Sequence, residues 1–266
     1  QINKISNKKD IENIYSKHII FSPQKNIFCS SEILNFFFED LELYIVSKND
    51  KIKSFVYLLK DSDNSIVSNP FIYSGILNHP RLLMKNSRYN NEIFKINELI
   101  VNEIFSNYKN ININLPINFN DMRPFLWFNY GKNENVFKVT PCYTSIINIK
   151  NKNDDEIFNK IDDVKRRDIK KVLNDENYKV SEEIDLPLMK KFYIETMQRN
   201  NGQFDNIALE KIFNFMDFQS KNNKIIQTTT YFKEDPLYSV LFLHDDVSSC
   251  YLYGSGNIQV KNRYAG

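Results

Sequence analysis

Hydrophobic and polar residues follow two different periods along the chain, one typical of amphipathic helices and one typical of strands. In the first half, apolar residues recur at helical spacing in three segments, and Ser30 or Ser31 is placed to cap the second of them. Four further segments are rich in the β-branched and aromatic residues that favour strands. The predicted helices are 6–20, 30–41 and 91–108, and the predicted strands are 42–48, 51–61, 65–75 and 110–117.

The second half repeats this order of segments. It combines three helical patterns with five strand-like runs, and acidic residues open the first helix, where they suit the positive end of its dipole. Asp185 is placed to cap the second helix, and Pro187 lies in its first turn. The predicted helices are 154–175, 185–200 and 209–220, and the predicted strands are 143–150, 178–184, 224–233, 237–245 and 248–256.

Helices and strands of this order indicate a mixed α+β protein. The strands follow one another through short connections, and no Gly-rich turn of the kind that opens a parallel β-α-β unit is present. We therefore predict two similar lobes, 1–138 and 139–266, each with a largely antiparallel sheet flanked by helices.

Composition narrows the class of protein. Of 266 residues, 42% are hydrophobic and 26% charged, the balance of a soluble globular protein. The net charge of +2 counts against a dedicated nucleic-acid binder, which usually carries a clearer basic excess, without excluding one. Cys29, Cys142 and Cys250 are far apart, which argues against a disulfide scaffold or a structural zinc site and favours the cytoplasm. No apolar run approaches the roughly 20 residues that span a bilayer, and we expect neither a transmembrane segment nor a bound metal.

Five cations within seven positions form the most prominent charge cluster, and they fall on the predicted helix 154–175. They are Lys165, Arg166, Arg167, Lys170 and Lys171. Such a cluster is typical of a solvated helix face, but arginine and lysine together are also suited to a phosphate or a carboxylate. No aromatic residue interrupts the cluster, although single-strand binders use aromatic rings for base stacking. Outside this cluster, a local ion pair is expected between Asp121 and Arg123.

Four stretches resemble a known family, the FemAB-like branch of the GNAT acyltransferase superfamily. They are NIFCSSEILNFF, SNPFIYSG, DMRPFLWFNYG with VTPCYTSIINI, and KRRDIKKVLNDENYKVSEEIDLPLMKKFYIETMQRNNG. The likeness runs along essentially the whole chain in the family's order. It implies two tandem GNAT-like lobes and transfer of an acyl or aminoacyl group onto an amine. The implied donor is an acyl-CoA, an acyl-carrier conjugate or an aminoacyl-tRNA.

The resemblance also implies site residues. The acceptor is expected to be an acidic small molecule or lipid-linked precursor, bound by Arg166, Arg167, Lys170, Tyr193, Arg199 and Arg123. Tyr253 and Ser255 are the catalytic candidates, because a strand ending at Tyr253 would place its hydroxyl beside the donor. The final RYAG resembles the start of the family's donor-phosphate motif, so Arg263 and Gly266 are the donor-binding candidates. The last elements of the second lobe are then expected beyond residue 266.

Two other functions remain open from the sequence. No compelling general base is visible, which is compatible with a non-catalytic binding module on a degenerate GNAT scaffold. The basic cluster also suits an RNA-binding module, for instance one that binds the acceptor stem of a tRNA.

Overall fold

The computed structural model describes residues 1–61, 63–68, 70–80, 85–132, 135–200 and 206–257. The chain divides into two compact units, Gln1–Cys142 and Tyr143–Gly266. Each unit contains an antiparallel sheet flanked by helices, so the predicted α+β class is confirmed. The assignment of two GNAT-like lobes divided after residue 138 stays a prediction.

Unit 1 is built on a five-stranded sheet whose order is β1-β2-β3-β4, with β5 paired to β3. The strands are β1 Ile2–Lys4, β2 Leu41–Lys48, β3 Lys51–Lys60, β4 Ile66–Val67 and β5 Gly75–Asn78. The helices are α1 Lys9–Lys17, α2 Ser31–Phe36, α3 Asn86–Glu103 and α4 Arg123–Trp127. Short 3-10 helices span Ile19–Phe21, Ile27–Cys29, Phe38–Asp40 and Phe105–Asn107.

The central strand β3 is covered on both faces of the sheet of unit 1. Its run from Phe55 to Leu59 is buried without interruption, as expected for a strand covered on both sides. Val56 and Leu58 belong to the cluster that also contains Ile96 and Ile100 of α3. Helix α2 begins where the sequence predicts, because the Ser30 side chain accepts a hydrogen bond from the Ile33 N–H.

Two predicted strands of unit 1 are largely absent. Among the described residues of 65–75, Ile66–Val67 form β4 and Gly75 begins β5, and the others are not in a strand. Within 110–117, a single bridge joins Ile111 to Ile66. The predicted apolar face is nevertheless correct, because Ile111, Ile113 and Leu115 pack against the core. Pro116 lacks the N–H that would continue a ladder, which limits the pairing of this segment.

Unit 2 contains a four-stranded antiparallel sheet in the order β6-β7-β8-β9. The strands are β6 Tyr178–Ser181, β7 Ile225–Phe232, β8 Asp235–His244 and β9 Ser249–Gly256. The helices are α5 Asp154–Phe158, α6 Asp163–Asn174, α7 Leu186–Arg199 and α8 Asn206–Lys221. The predicted cap of α7 is confirmed, since Asp185 Oδ1 accepts from the Leu188 N–H at 2.9 Å and Pro187 lies in the first turn.

Two predictions for unit 2 are wrong. The single helix 154–175 is in fact two helices, because Asp162 interrupts it with an extended backbone and accepts a new capping hydrogen bond from Val164. The predicted strand 143–150 is not a strand, and Ile146 and Ile147 are each 72% exposed. The segment has the apolar residues of a strand, but no neighbouring strand among the described residues forms backbone hydrogen bonds with it.

His18 gives unit 1 a testable dependence on pH. Its ring is buried, with Nε2 3.4 Å from the Leu77 carbonyl oxygen. Burial lowers the pKa of His18 from 6.5 to about 4. Below pH 6.5 the unfolded chain therefore takes up a proton that the folded chain excludes, and stability falls until the pH reaches about 4. Between pH 7 and pH 5 we expect the free energy of unfolding of the wild type to fall by about 2 kcal/mol more than that of His18→Gln. Urea unfolding of both proteins at the two pH values measures this difference, and equal losses would contradict it.

Candidate functional site

Two tyrosines of unit 2 meet where α7 packs against β9. The ring centroids of Tyr193 and Tyr253 are 5.3 Å apart and the rings are nearly perpendicular, at 88°. Tyr193 also meets the edge of Phe213 at 6.4 Å, so its ring is held from two sides. We call Tyr193 and Tyr253 the tyrosine pair. This edge-to-face geometry is favourable and restricts the motion of both rings.

The surroundings of the tyrosine pair determine its protonation state. Burial raises the pKa of Tyr253 strongly, and the neighbouring Tyr193 raises it further. Burial also raises the pKa of Tyr193. Both phenols therefore stay protonated at neutral pH. A protonated phenol in a water-poor site can donate a hydrogen bond to a developing negative charge, but it does not accept a proton as a base.

Thr196 adds a second hydroxyl on the same side of α7. It follows Tyr193 by three positions, so the two side chains are neighbours on the helix surface. Its Oγ1 is buried and has no hydrogen-bond partner among the described residues. A buried hydroxyl without a partner is uncommon and costs stability. The surface of α7 near the tyrosine pair thus has unused hydrogen-bonding capacity.

Gln227 of β7 fixes the start of α7 above the sheet. Its Oε1 accepts from the Asp185 N–H at 2.9 Å, and its Nε2 donates to the Asp185 carbonyl and to Ser239 Oγ, both at 3.0 Å. Ser239 Oγ also lies 3.0 Å from Thr229 Oγ1. Gln227 and Ser239 are completely buried. This network ties the capping residue of α7 to two strands and so helps to place Tyr193 beside β9.

The structure places the catalytic candidates differently within their strand than expected. The segment 248–256 was predicted as a strand, whereas the catalytic role of Tyr253 assumed that the strand ends at that residue; β9 runs from Ser249 to Gly256, so Tyr253 lies inside it. Ser255 is buried and pairs with Ser239 of β8. Gly254 and Gly256 belong to β9 as well. A Cβ at Gly254 would lie 2.6 Å from Tyr238 Oη, so a side chain there would require Tyr238 to move.

The basic cluster of α6 is partly occupied by local contacts. Arg166 donates from Nη1 to the Asn159 carbonyl at 2.7 Å and pairs through Nη2 with Asp163. Arg167 is exposed and donates from Nε to the Asp163 carbonyl at 3.3 Å. Arg166 therefore helps to hold the junction of α5 and α6. Arg167 projects from the helix with its terminal nitrogens available.

The other predicted acceptor contacts lie on three elements. Lys170 is exposed on α6, with its Nζ 5.8 Å from the ring centre of Phe158. Arg199 is exposed in the last turn of α7, and no hydrogen bond or ion pair joins it to another described residue. Arg123 belongs to unit 1, where Asp121 binds it through two hydrogen bonds of 2.8 and 2.6 Å. This confirms the expected ion pair of Asp121 and Arg123.

Aromatic rings hold Arg123 in addition to Asp121. Its guanidinium carbon lies 4.7 Å from the ring centre of Phe94 and 5.7 Å from that of Trp127. The rings of Phe94 and Trp127 are themselves in edge contact at 5.4 Å. Arg123 thus has a structural role at the start of α4, and its assignment as an acceptor contact stays a prediction.

One open cleft in unit 2 includes a predicted site residue, Lys170. It has a volume of about 480 Å³ and lies at the end of α6, beside the start of β6. We call it the α6 cleft. Its lining consists of Lys170, Lys171, Asn174, Asp175 and Tyr178. Except for the two lysines, sequence reasoning missed these residues, because only the fold brings Tyr178 of β6 next to the end of α6.

Several predictions cannot be placed. The donor-binding candidates Arg263 and Gly266 lie outside the described residues.

Within the described ranges, no three His, Cys, Asp or Glu side chains converge on a point where a metal ion could be held. None of the described helices combines the length and the apolar character needed to cross a membrane.

Comparisons with known proteins identify similar folds. No protein-family model matches the chain, and no curated protein does. The crystal structure of FemX matches 97% of this chain and 81% of its own, with a TM-score of 0.51 and 12% identity. A conserved protein of unknown function from Bacteroides thetaiotaomicron VPI-5482 matches 99% of this chain and 83% of its own, with a TM-score of 0.51 and 11% identity. At these identities the likeness shows the fold.

Proposed function

We propose that the protein is a cytoplasmic N-acyltransferase of the FemAB-like GNAT kind. It moves an acyl or aminoacyl group from an acyl-CoA, an acyl-carrier conjugate or an aminoacyl-tRNA to the amine of an acidic acceptor. The acceptor is a small molecule or a lipid-linked precursor. The observation that carries this proposal is the tyrosine pair, in which a half-buried and protonated Tyr253 is held in place by Tyr193. The fold shared with FemX supports it.

The proposed chemistry requires little from the protein beyond positioning and charge stabilisation. The neutral amine attacks the acyl carbonyl carbon, and negative charge develops on the carbonyl oxygen. As the C–N bond forms, the bond from the acyl carbon to the thiol sulfur or to the tRNA ribose oxygen breaks, and the proton that the amine loses passes through solvent to the departing sulfur or oxygen. The Tyr253 phenol donates a hydrogen bond to that oxygen or to the leaving group. Positioning of the two reactants supplies much of the acceleration.

Acceptor binding is assigned to Arg166, Arg167, Lys170, Tyr193, Arg199 and Arg123. Of these, Arg167 and Lys170 are exposed and available for an anion. We expect Arg167→Ala and Lys170→Ala each to raise the acceptor KM by about tenfold, the loss of one charge-assisted contact, while kcat changes little. Steady-state kinetics with varied acceptor measure the change, and Lys165→Ala is the matched control on the same helix. An unchanged KM in both variants would remove the basic cluster from the acceptor site.

A second candidate function is the binding of a tRNA acceptor stem without acyl transfer. The exposed cations of α6 favour it. Binding through several phosphates should weaken steeply with salt, by close to one unit of slope per contact in a plot of log K against log salt. A small acidic acceptor makes one or two such contacts and should depend on salt weakly. Titrations at two salt concentrations therefore separate the two candidates.

A further inference from the structure

The α6 cleft has an aromatic side that the sequence did not reveal. Tyr178, the first residue of β6, lines the cleft and pairs with Phe232 across the sheet. The two rings are 5.1 Å apart and inclined by 63°. This contact holds the Tyr178 ring in place at the wall of the cleft. The fold therefore supplies, from β6 and β7, the aromatic surface that is absent within the basic cluster itself.

The opposite side of the cleft is polar and carries charges of both signs. Lys170 and Lys171 line it from the C-terminal part of α6, together with Asn174. Asp175 lines the cleft as well. Its Oδ1 accepts hydrogen bonds from the Asn177 backbone N–H at 3.0 Å and from Asn177 Nδ2 at 2.7 Å. These bonds lower the pKa of Asp175, so its carboxylate is ionised and fixed in direction.

We propose that the α6 cleft binds a phosphorylated nucleoside. The base stacks on Tyr178, the phosphate binds Lys170 and Lys171, and Asp175 accepts a hydrogen bond from a ribose hydroxyl. Stacking on an aromatic ring tolerates any base, a lysine is a common partner of phosphate, and a carboxylate is a common partner of ribose hydroxyls. A volume of about 480 Å³ lies in the usual range of small-molecule sites, roughly 300–1,000 Å³.

A simpler role for the two lysines makes the opposite prediction. Cations in the last turn of a helix also stabilise the negative end of its dipole. In that case, replacing Lys171, which lies in the last turn of α6, would lower stability and no nucleotide would bind. The inclusion of Tyr178 and Asp175 in the same cleft favours the ligand, because neither side chain contributes to the dipole.

This proposal and the proposed function share one residue, Lys170, and the proposal rests on the proposed function only there. It concerns binding and can be tested without any transfer reaction. If nucleotides fail to bind while Tyr253 still proves necessary for transfer, only the inference falls. If nucleotides bind and no transfer is found, only the proposed function falls.

Isothermal titration of the full chain with AMP and UMP tests the proposal, with adenosine and inorganic phosphate as the half-ligands. We expect both nucleotides to bind and each half-ligand to bind at least about tenfold more weakly, since stacking and charge-assisted contacts each contribute about that much. Lys170→Ala and Tyr178→Leu should each weaken binding by about tenfold. Lys165→Ala, an exposed cation of the same helix outside the lining, should leave it unchanged.

A single-stranded oligonucleotide distinguishes a free nucleotide from a strand end. If a short RNA binds with an affinity similar to that of UMP, the site accepts one nucleotide of either source, as proposed. If the RNA binds far more tightly, and Lys165→Ala weakens it as much as Lys170→Ala, the helix is a phosphate-tracking surface and the proposal is overturned. Absence of binding by AMP and UMP at millimolar concentration overturns it too. Lys170 is exposed and contributes little to packing, so its variant remains informative even if Tyr178→Leu fails to fold.

Discussion

Replacing Tyr253 by phenylalanine should lower kcat at least about tenfold, or about 1.4 kcal/mol, while the melting temperature stays within a few degrees. The ring remains in edge contact with Tyr193 at nearly the same volume, so packing in the α7–β9 region is retained. Only the hydroxyl is lost, and burial keeps that hydroxyl protonated in the wild type. A donor aimed at developing charge in such a site can contribute two or three orders of magnitude in rate. Steady-state kinetics and a thermal melt on the same preparation measure both quantities.

Tyr251→Phe is the matched control for this experiment. Tyr251 is a tyrosine of the same strand, half-exposed and packed against Phe242 at 5.7 Å. Its loss of hydroxyl should leave kcat unchanged. Normal kcat and stability in Tyr253→Phe would make the Tyr253 hydroxyl a bystander. A large loss of stability would make it a structural hydrogen-bond donor instead, and its catalytic role would have to be withdrawn.

Replacing Gln227 by leucine should destabilise unit 2 by about 2–4 kcal/mol. Leucine has a similar volume, so the change tests the hydrogen bonds rather than a cavity. The partly buried backbone N–H and carbonyl of Asp185 would both lose the carboxamide that satisfies them, and water can replace only part of that loss. The fully buried Ser239 Oγ would lose its donor as well, and a buried polar group left without a partner costs about 1–3 kcal/mol. Equilibrium unfolding in urea measures the loss, read from a shift in midpoint at constant slope.

Gln198→Leu is the control for the loss of a glutamine as such. Gln198 is exposed on α7, and its replacement should change stability by less than about 0.5 kcal/mol. We also expect Gln227→Leu to impair turnover in the fraction that remains folded, because Gln227 helps to place α7 and Tyr193. Equal stability of the two variants would show that the Gln227 network has little weight in unit 2.

The helices and strands with strong local signals could be predicted from the sequence. Asp185 and Pro187 gave the start of α7, and Ser30 gave the start of α2, because capping depends on residues next to each other in the chain. The three strands β7, β8 and β9 were also predicted to within a few residues. Each is a run of apolar and aromatic residues bounded by polar or turn-forming ones.

Most of the failures share one physical cause, which is dependence on distant partners; the split of helix 154–175 at Asp162 is the local exception. The segment 143–150 has the composition of a strand, but a strand also needs a neighbour, and composition does not supply one. Gly254 and Gly256 follow Tyr253 and were expected to lie beyond the end of the strand, whereas they belong to β9, where a Cβ at either position would press against Tyr238. The α6 cleft depends on Tyr178, which only the fold brings to the end of α6.

The candidate site was found partly for the wrong reason. Tyr253 was selected because a strand was expected to end there, yet the residue lies inside β9. What gives it chemical interest is its raised pKa in a half-buried position and its contact with Tyr193, neither of which can be predicted from local sequence. Thr196 had the right spacing from Tyr193, but its unpartnered hydroxyl became visible only in the structure.

The most direct test of the central claim is whether the protein moves an acyl group to an amine. Wild-type protein would be incubated with an isotopically labelled donor, acyl-CoA or aminoacyl-tRNA, and a panel of acidic amines. Mass spectrometry of the acceptors would follow transfer of the label. We expect one acceptor to gain the mass of the acyl group, with loss of one proton, at a rate that falls at least about tenfold in Tyr253→Phe. Unmodified acceptors throughout, from protein shown to bind a donor or an acceptor, would contradict the assignment and identify a binding module.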